Sequence, residues 1–274
     1  EKPMALDAGE TARMVDAARA RPGRLALLDH ELRFLPARER LAALAHGGAL
    51  GELRRAEYIL RAPSRRDPAY PWSWWSDRSA GGGVLGAIGS HAIDALRHLL
   101  GEVAEARGWL ETLVAQRPDP AGGAARPVTA DDHAACWLRF ASGAVASITL
   151  SVTEAERCHS LVLNGTDGWA RLDEQGPLLI ARGGGRPERE PVPDDLPSSG
   201  ELGIPDTDWA RAFLRFARLI VQAVPTGTPL AGAATFEDGH RAQQVMDAVR
   251  RSSAGGGWEP VPARDDGNRP PPRP

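Results

Sequence analysis

The chain has 274 residues, room for one large domain or two modest ones, and its 42% hydrophobic and 25% charged content is that of a globular protein. A formal net charge of −3 supplies no positive field to hold a polyanion, so nucleic acid is excluded as an expected partner, and two cysteines neither staple a domain of this size nor show metal-ligand spacing. No apolar stretch approaches the ~18 residues needed to cross a bilayer, and the opening EKPMALDAGE lacks the basic and apolar regions of a secretory signal. The expectation is a cytoplasmic protein with no membrane segment.

Residues 6–20 carry apolar positions at helical spacing and end at Pro22-Gly23, and Asp7 with Glu10 three residues later predicts a capped helix start. The run LALL at 25–28 reads as a short buried strand. Pro36 then suits the first turn of a helix over 36–46 that stops at Gly47-Gly48. Helix, strand, helix is the rhythm of a doubly wound α/β sheet, though too little of one to stand alone.

From Leu53 the rhythm changes. Residues 53–60 alternate as a strand does, a Trp- and Pro-rich loop follows, and a helix is predicted over 84–100. Strands are predicted at 103–114, 131–140, 144–153, 158–164, 168–173 and 177–181, with hairpin turns at Ser142-Gly143 and Asp167-Gly168. Consecutive strands joined by tight turns imply a mainly antiparallel sheet. Residues 183–206 read as a long loop, 207–223 and 236–253 as amphipathic helices, and 255–274 as a disordered tail rich in Gly, Pro and charge.

Of the 33 basic residues a single one is lysine, Lys2, leaving 32 arginines. Arginine stays protonated and forked, whereas an ammonium is a compact charge whose pKa can fall. A lone lysine is therefore either a chance survivor on a frayed terminus or one whose chemistry arginine cannot replace. The most informative stretch is residues 81–94, GGGVLGAIGSHAID. Three glycines permit a sharp turn, and His91 and Asp94 follow one helical turn apart, so a carboxylate can orient an imidazole as a general base requires. The plainer alternative is a packing histidine on a helix entered by a Gly-rich loop. His91, Asp94 and His98 also share a helix face, where a divalent metal competes with the more ordinary reading of a packed His98. The aromatic run Tyr70, Trp72, Trp74, Trp75 suits either a platform for a sugar ring or the core of its own loop. Arg33 either faces a cleft or pairs on the surface.

These stretches resemble the glucose-fructose oxidoreductase / inositol dehydrogenase / rhizopine-catabolism (Gfo/Idh/MocA) family of NAD(P)-dependent oxidoreductases. Glu1-Lys2-Pro3 matches the family's E-K-P signature, and residues 29–36, DHELRFLP, look like its next strand with an R-[FY]-x-P ending. Residues 45–57 resemble its link into the second domain. Residues 81–94 match G-G-G-x-L-x-D-x-G-x-H-x-x-D except at Ala87, where the family has aspartate. Glu237-Asp238-Gly239 and residues 248–255 look like its closing helix.

The resemblance implies a fold of the α/β class: residues 1–50 as the C-terminal remnant of a Rossmann domain, and 51–254 as an α+β substrate-binding and dimerisation domain with an open, mainly antiparallel sheet. It implies hydride transfer between a sugar or cyclitol hydroxyl carbon and NAD or NADP. In that scheme Lys2 donates to the reacting hydroxyl, His91 is the general base, and Glu1, Lys2 and Pro3 meet the cofactor. Arg33, Trp75 and Asp94 are the expected contacts of a small polyhydroxylated substrate, and no metal is expected. The G-x-G-x-x-G turn that precedes E-K-P in the family is not present in this sequence, so tight NAD(P) binding by the chain alone is not expected. The alternative is a non-catalytic dimerisation or sugar-binding module that pairs through its open sheet.

Overall fold

The computed structural model describes residues 1–193 and 199–263. The chain opens on α1 (Ala8–Arg19), which Asp7 caps by accepting from the Glu10 backbone N–H at 2.8 Å. The Glu10 carboxylate reaches back one residue further than a capping box requires, to the Leu6 N–H at 3.1 Å. The strand expected at 25–28 is not in the sheet. Leu27 makes only an isolated bridge with Thr235, and Leu28 N–H donates to the Ala234 carbonyl, so the run lies against the segment that enters the last helix. A single 3-10 turn (Glu31–Phe34) leads into α2 (Pro36–His46), with Pro36 in the first turn where no N–H is missed. Leu41, Leu44, Ala45 and Leu50 of this early segment are buried in the same core as the sheet.

After β1 (Leu53–Arg61) and the Trp-rich loop, the helix expected over 84–100 forms in two parts: one π-helical turn (Leu85–Gly89) and then α3 (Ser90–Leu100). The strands follow as β2 (Val103–Glu111), a small side pair β3 (Gln116–Arg117) and β4 (Arg126–Pro127), then β5 (His133–Phe140), β6 (Val145–Ser151), β7 (Cys158–Gly165), β8 (Gly168–Asp173) and β9 (Leu178–Arg182). Within the loop expected at 183–206, a short β10 (Glu188–Arg189) pairs with β9, a 3-10 turn occupies Ser199–Leu202, and 194–198 lie outside the described residues. Two helices close the fold, α4 (Asp208–Ala223), capped by Thr207, and α5 (Phe236–Gly255), capped by a Thr235/Asp238 box. The tail expected from Gly255 is ordered at its start: β11 (Glu259–Pro260) pairs with β2, and Val261 is buried. The remaining tail residues, 264–274, lie outside the described ones.

The main sheet has the order β10-β9-β8-β7-β1-β6-β5-β2-β11, and among its described pairings only β1 with β6 is parallel. This confirms a mixed α/β protein with a large, mostly antiparallel sheet. Register explains why one face is dry. A single row across seven strands, Ala106, Leu138, Ala146, Ala56, Leu163, Ala170 and Ile180, is buried throughout. Four of the seven are alanine, which leaves room for helices α3 and α5 to seat closely. Gly108 shows how closely, because a Cβ at that position would stand 2.5 Å from Val249 Cγ1 of α5. The opposite face carries the alternate residues and stays open, with Trp109, Trp137 and Val145 all about half exposed. No helix among the described residues is long and apolar enough to cross a membrane.

Candidate active site

Lys2 lies against the π-helical turn and donates from Nζ to the Ala87 carbonyl at 2.5 Å. A π turn widens the helix and leaves backbone groups outside the usual ladder, a feature frequent at functional sites. Burial lowers the Lys2 pKa, opposed by the negative charges of Glu31, Glu1 and Asp29. The lone lysine is thus half-buried and held by a defined partner.

His91, on the first turn of α3, is 2% exposed. Burial and the neighbouring cations hold its pKa well below the ordinary imidazole value, so it is neutral around pH 7. Its Nδ1 stands 3.5 Å from His30 Nδ1 and 3.9 Å from the Glu31 carboxylate. Asp94, one turn on, does not orient it. Arg33 grips Asp94 with two hydrogen bonds, Nε to Oδ2 at 2.8 Å and Nη2 to Oδ1 at 2.6 Å, and both side chains are buried. Burial alone would raise the Asp94 pKa, but His30 and Arg33 hold it below the usual carboxylate range. The structure therefore turns Arg33 and Asp94 toward each other. Arg33 also approaches the Asp238 carboxylate at 3.4 Å, which ties α3 to the cap of α5. With Asp94 engaged in this way, the described residues hold no group of three His, Cys, Asp or Glu placed for a metal ion.

Around His91 and Lys2 lies a cluster of unfinished bonding. Asp29 Oδ1, His30 Nε2, Glu31 Oε2 and His91 Nε2 are all buried without a hydrogen-bond partner. Burial, reinforced by Asp29, pushes the Glu31 carboxyl up to about 7. Such groups are costly to leave unpaired, and all four atoms are closed off from the surface. Sequence reading missed Glu31 and His30. Their signal was present in the run DHEL, three titratable residues in a row just ahead of apolar Leu32 and Phe34.

Beside this cluster opens a cleft of about 430 Å³, whose lining includes Glu1, Lys2, Ala87 and Ile88 together with Arg157, Cys158, His159 and Glu174. Trp74, Trp75 and Trp209 close its ends. Trp75 does line the cleft, but the Arg65 guanidinium covers one ring face at 4.2 Å. Its neighbour Trp74, 53% exposed, offers the freer ring. Trp209 of α4 separates two histidines: His91 meets it edge-on at 4.8 Å, and His159 stacks nearly parallel at 6.2 Å. The sequence gave no notice of Trp209 or His159, which sit in ordinary helical and alternating patterns.

Comparison with known proteins identifies the family. Residues 39–171 match the GFO/IDH/MocA C-terminal domain. The chain is 31% identical over 264 residues to glucose-fructose oxidoreductase domain-containing protein 2 of Xenopus laevis, covering 90% of this chain and 67% of that protein. The chain belongs to the Gfo/Idh/MocA oxidoreductase family. It is also 36% identical over 170 residues to an uncharacterized oxidoreductase of Synechocystis sp., spanning 61% of this chain but only 46% of that one. Among solved structures, levoglucosan dehydrogenase in complex with NADH and levoglucosan is 25% identical, with a TM-score of 0.82 over 96% of this chain and 72% of that one.

Within the Gfo/Idh/MocA pattern, the position of the family aspartate is Ala87, a buried alanine whose carbonyl, not its side chain, meets Lys2. The glycines around it are spoken for by the protein itself. A Cβ at Gly82 would lie 2.5 Å from the Trp74 carbonyl and one at Gly83 2.5 Å from the Asp131 carboxylate, so close packing within the protein requires glycine at both positions.

Proposed function

We propose that this chain carries the reactive site of an NAD(P)-dependent oxidoreductase acting on a secondary hydroxyl of a sugar or cyclitol. The observation that supports it is the placement of the single lysine: Lys2 is drawn into a cleft and bonded to Ala87, close enough to Glu31 and His91 for its charge to act on both. The G-x-G-x-x-G fingerprint that cradles a dinucleotide's pyrophosphate does not occur in this sequence, so the chain alone is expected to hold NADH no tighter than about 1 mM.

When bound, NAD(P)⁺ supplies the hydride acceptor. Lys2 donates a hydrogen bond to the reacting oxygen, and its lowered pKa suits it to stabilise the negative charge that develops there. His91, which lines a small neighbouring pocket with His30, Arg33 and Asp94 rather than the Lys2 cleft, is the base in this reading and would have to turn its buried Nε2 toward the substrate to take the hydroxyl proton. The imidazolium so formed is buried, and the Glu31 carboxylate 3.9 Å from Nδ1 offsets its charge. Glu1 and Pro3 border the cofactor side of Lys2. Arg33 and Asp94 act behind the site, holding the 3-10 turn that carries Glu31 to the helix that carries His91. Trp75, with Trp74, forms the apolar wall for a ring.

Nicotinamide absorbance, followed with a panel of polyols in a preparation supplemented with the dinucleotide-binding half of a relative, tests the reading. Lys2→Arg is expected to lower kcat/KM by about 10²-fold or more. An arginine variant as active as wild type removes the claim for an ammonium. A second property is supported by the open sheet face with Trp109, Trp137 and Val145, which suits pairing with a second copy. Sedimentation equilibrium with Trp137→Glu is expected to shift a dimer toward monomer. A wild-type chain that is monomeric at high concentration sinks that part.

A further inference from the structure

His159 was not among the residues expected to act, yet its ring walls the same cleft as Lys2. Strand register explains how it gets there. On β7 it lies opposite Leu60 of β1, next to the fully buried Tyr58. Its Nε2 stands 2.8 Å from the Tyr58 hydroxyl and 3.1 Å from Arg38 Nη2. A guanidinium nitrogen can only donate, so at that distance Nε2 must be the acceptor and its lone pair is taken. In a neutral imidazole the proton then resides on Nδ1. Burial, with the Arg38 charge, pushes the His159 pKa down to about 3, so the ring is neutral at every physiological pH. Trp209 lies nearly parallel to the ring, at 20°, and fixes its plane. Among the described residues Nδ1 has no hydrogen-bond partner, and it is not among the buried atoms stranded without one.

We infer that His159 is a substrate-binding donor: Tyr58 and Arg38 lock its tautomer so that Nδ1–H faces the cleft and receives a lone pair from a ligand oxygen. The ligand class is a neutral oxygen acceptor, such as a hydroxyl or ring oxygen of a polyol. A group that can only donate is not accepted by this N–H. Arg38 and Tyr58 are positioning residues that act through His159. The inference rests on the reading of this cleft as the substrate site.

Nitrogen NMR of histidine-labelled chain reads the tautomer without cofactor or turnover. The wild type is expected to show a neutral His159 protonated at Nδ1 from pH 5 to 8, and Arg38→Met to admit the Nε2–H form. Titration with D-glucose, myo-inositol and levoglucosan then reads the contact. Wild type should bind at least one, with a shift of the His159 Nδ1–H resonance. His159→Asn, whose amide nitrogen falls near Nδ1, should keep affinity within about threefold, whereas His159→Gln and His159→Ala should lose about tenfold. An Nε2–H ring in the wild type, equal binding by the Ala and wild-type chains, or no binding of any of the three polyols overturns the inference. Binding with these variant effects but no hydride transfer in the supplemented enzyme overturns the oxidoreductase reading instead and leaves the role of His159 standing.

Discussion

Two regions flank Trp209, each built around a buried histidine, and they differ in how their bonds are completed. Around His91, four polar atoms of Asp29, His30, Glu31 and His91 end without partners, and the nearest complete interaction is an ion pair, Arg33 with Asp94. Around His159, Tyr58 and Arg38 satisfy Nε2 and no charge is buried opposite a carboxylate. Burial discharges both rings, so neutrality by itself says nothing about role. What separates them is whether the neighbours leave the ring free to exchange a proton or hold it in one tautomer. A base needs the first condition and a recognition donor the second.

The difference can be broken most strongly at the ion pair. Arg33→Met leaves Asp94 buried without its cation, which is expected to cost about 3–5 kcal/mol; denaturant unfolding checks it. The parallel change on the other side, Arg38→Met, faces a neutral partner and should cost about 1–2 kcal/mol. Equal losses would show that the two regions are held in the same way. Next comes pH. Glu31 has a folded pKa of about 7 against an ordinary 4.5, so between those values the folded chain binds more protons than the unfolded one and stability falls as pH rises. Glu31→Gln removes that slope and is expected to stabilise the protein at pH 8 by about 2–3 kcal/mol. It should also erase the rise of kcat/KM through pH 7 that ionised Glu31 lends to His91. His159 has the opposite sign: its folded pKa of about 3 lies below the ordinary 6.5, so its contribution is present above 6.5 and is lost as pH falls toward 3. Unfolding measured from pH 4 to 8 in the two single variants separates these slopes. A smaller effect is expected from Tyr58→Phe, about 1 kcal/mol with no pH dependence, because Arg38 alone still fixes the tautomer. Smallest is Trp74→Ala, within about 0.5 kcal/mol in stability, read mainly as weaker polyol binding.

Much of this was legible in the sequence, and the exceptions have physical reasons. Period-two alternation and hairpin turns placed β5 to β9 nearly to the residue, and Asp7, Pro36 and Gly101 marked helix ends because caps are local chemistry. The run 25–28 misled because a short apolar stretch does not say what its backbone will pair with, and here it meets residues 234–236. Residues 259–260 were masked by a composition of Gly, Pro and charge, although a two-residue edge pairing needs no more than that. At the site, Lys2 and His91 carry short motifs and could be named. The partnership of Arg33 with Asp94 spans 61 residues and the His159–Tyr58 bond 101, and no local pattern records such meetings. Helical spacing put Asp94 beside His91, but a guanidinium from a distant turn outcompeted it.

The one parallel pairing has a consequence for how the molecule comes into being. β1 lies at the middle of the sheet, yet both strands that flank it, β6 and β7, are made long after it. During synthesis β1 must wait with both edges unpaired while the helix and the β2–β5 segment are completed, a costly loop closure that contact-order arguments associate with slow folding. Tyr58 is on the strand that waits and His159 on the one that ends the wait. Any nascent chain shorter than about β7 therefore has the lysine and the π turn but no opposite wall, and the cleft comes into existence in the same step that closes the sheet.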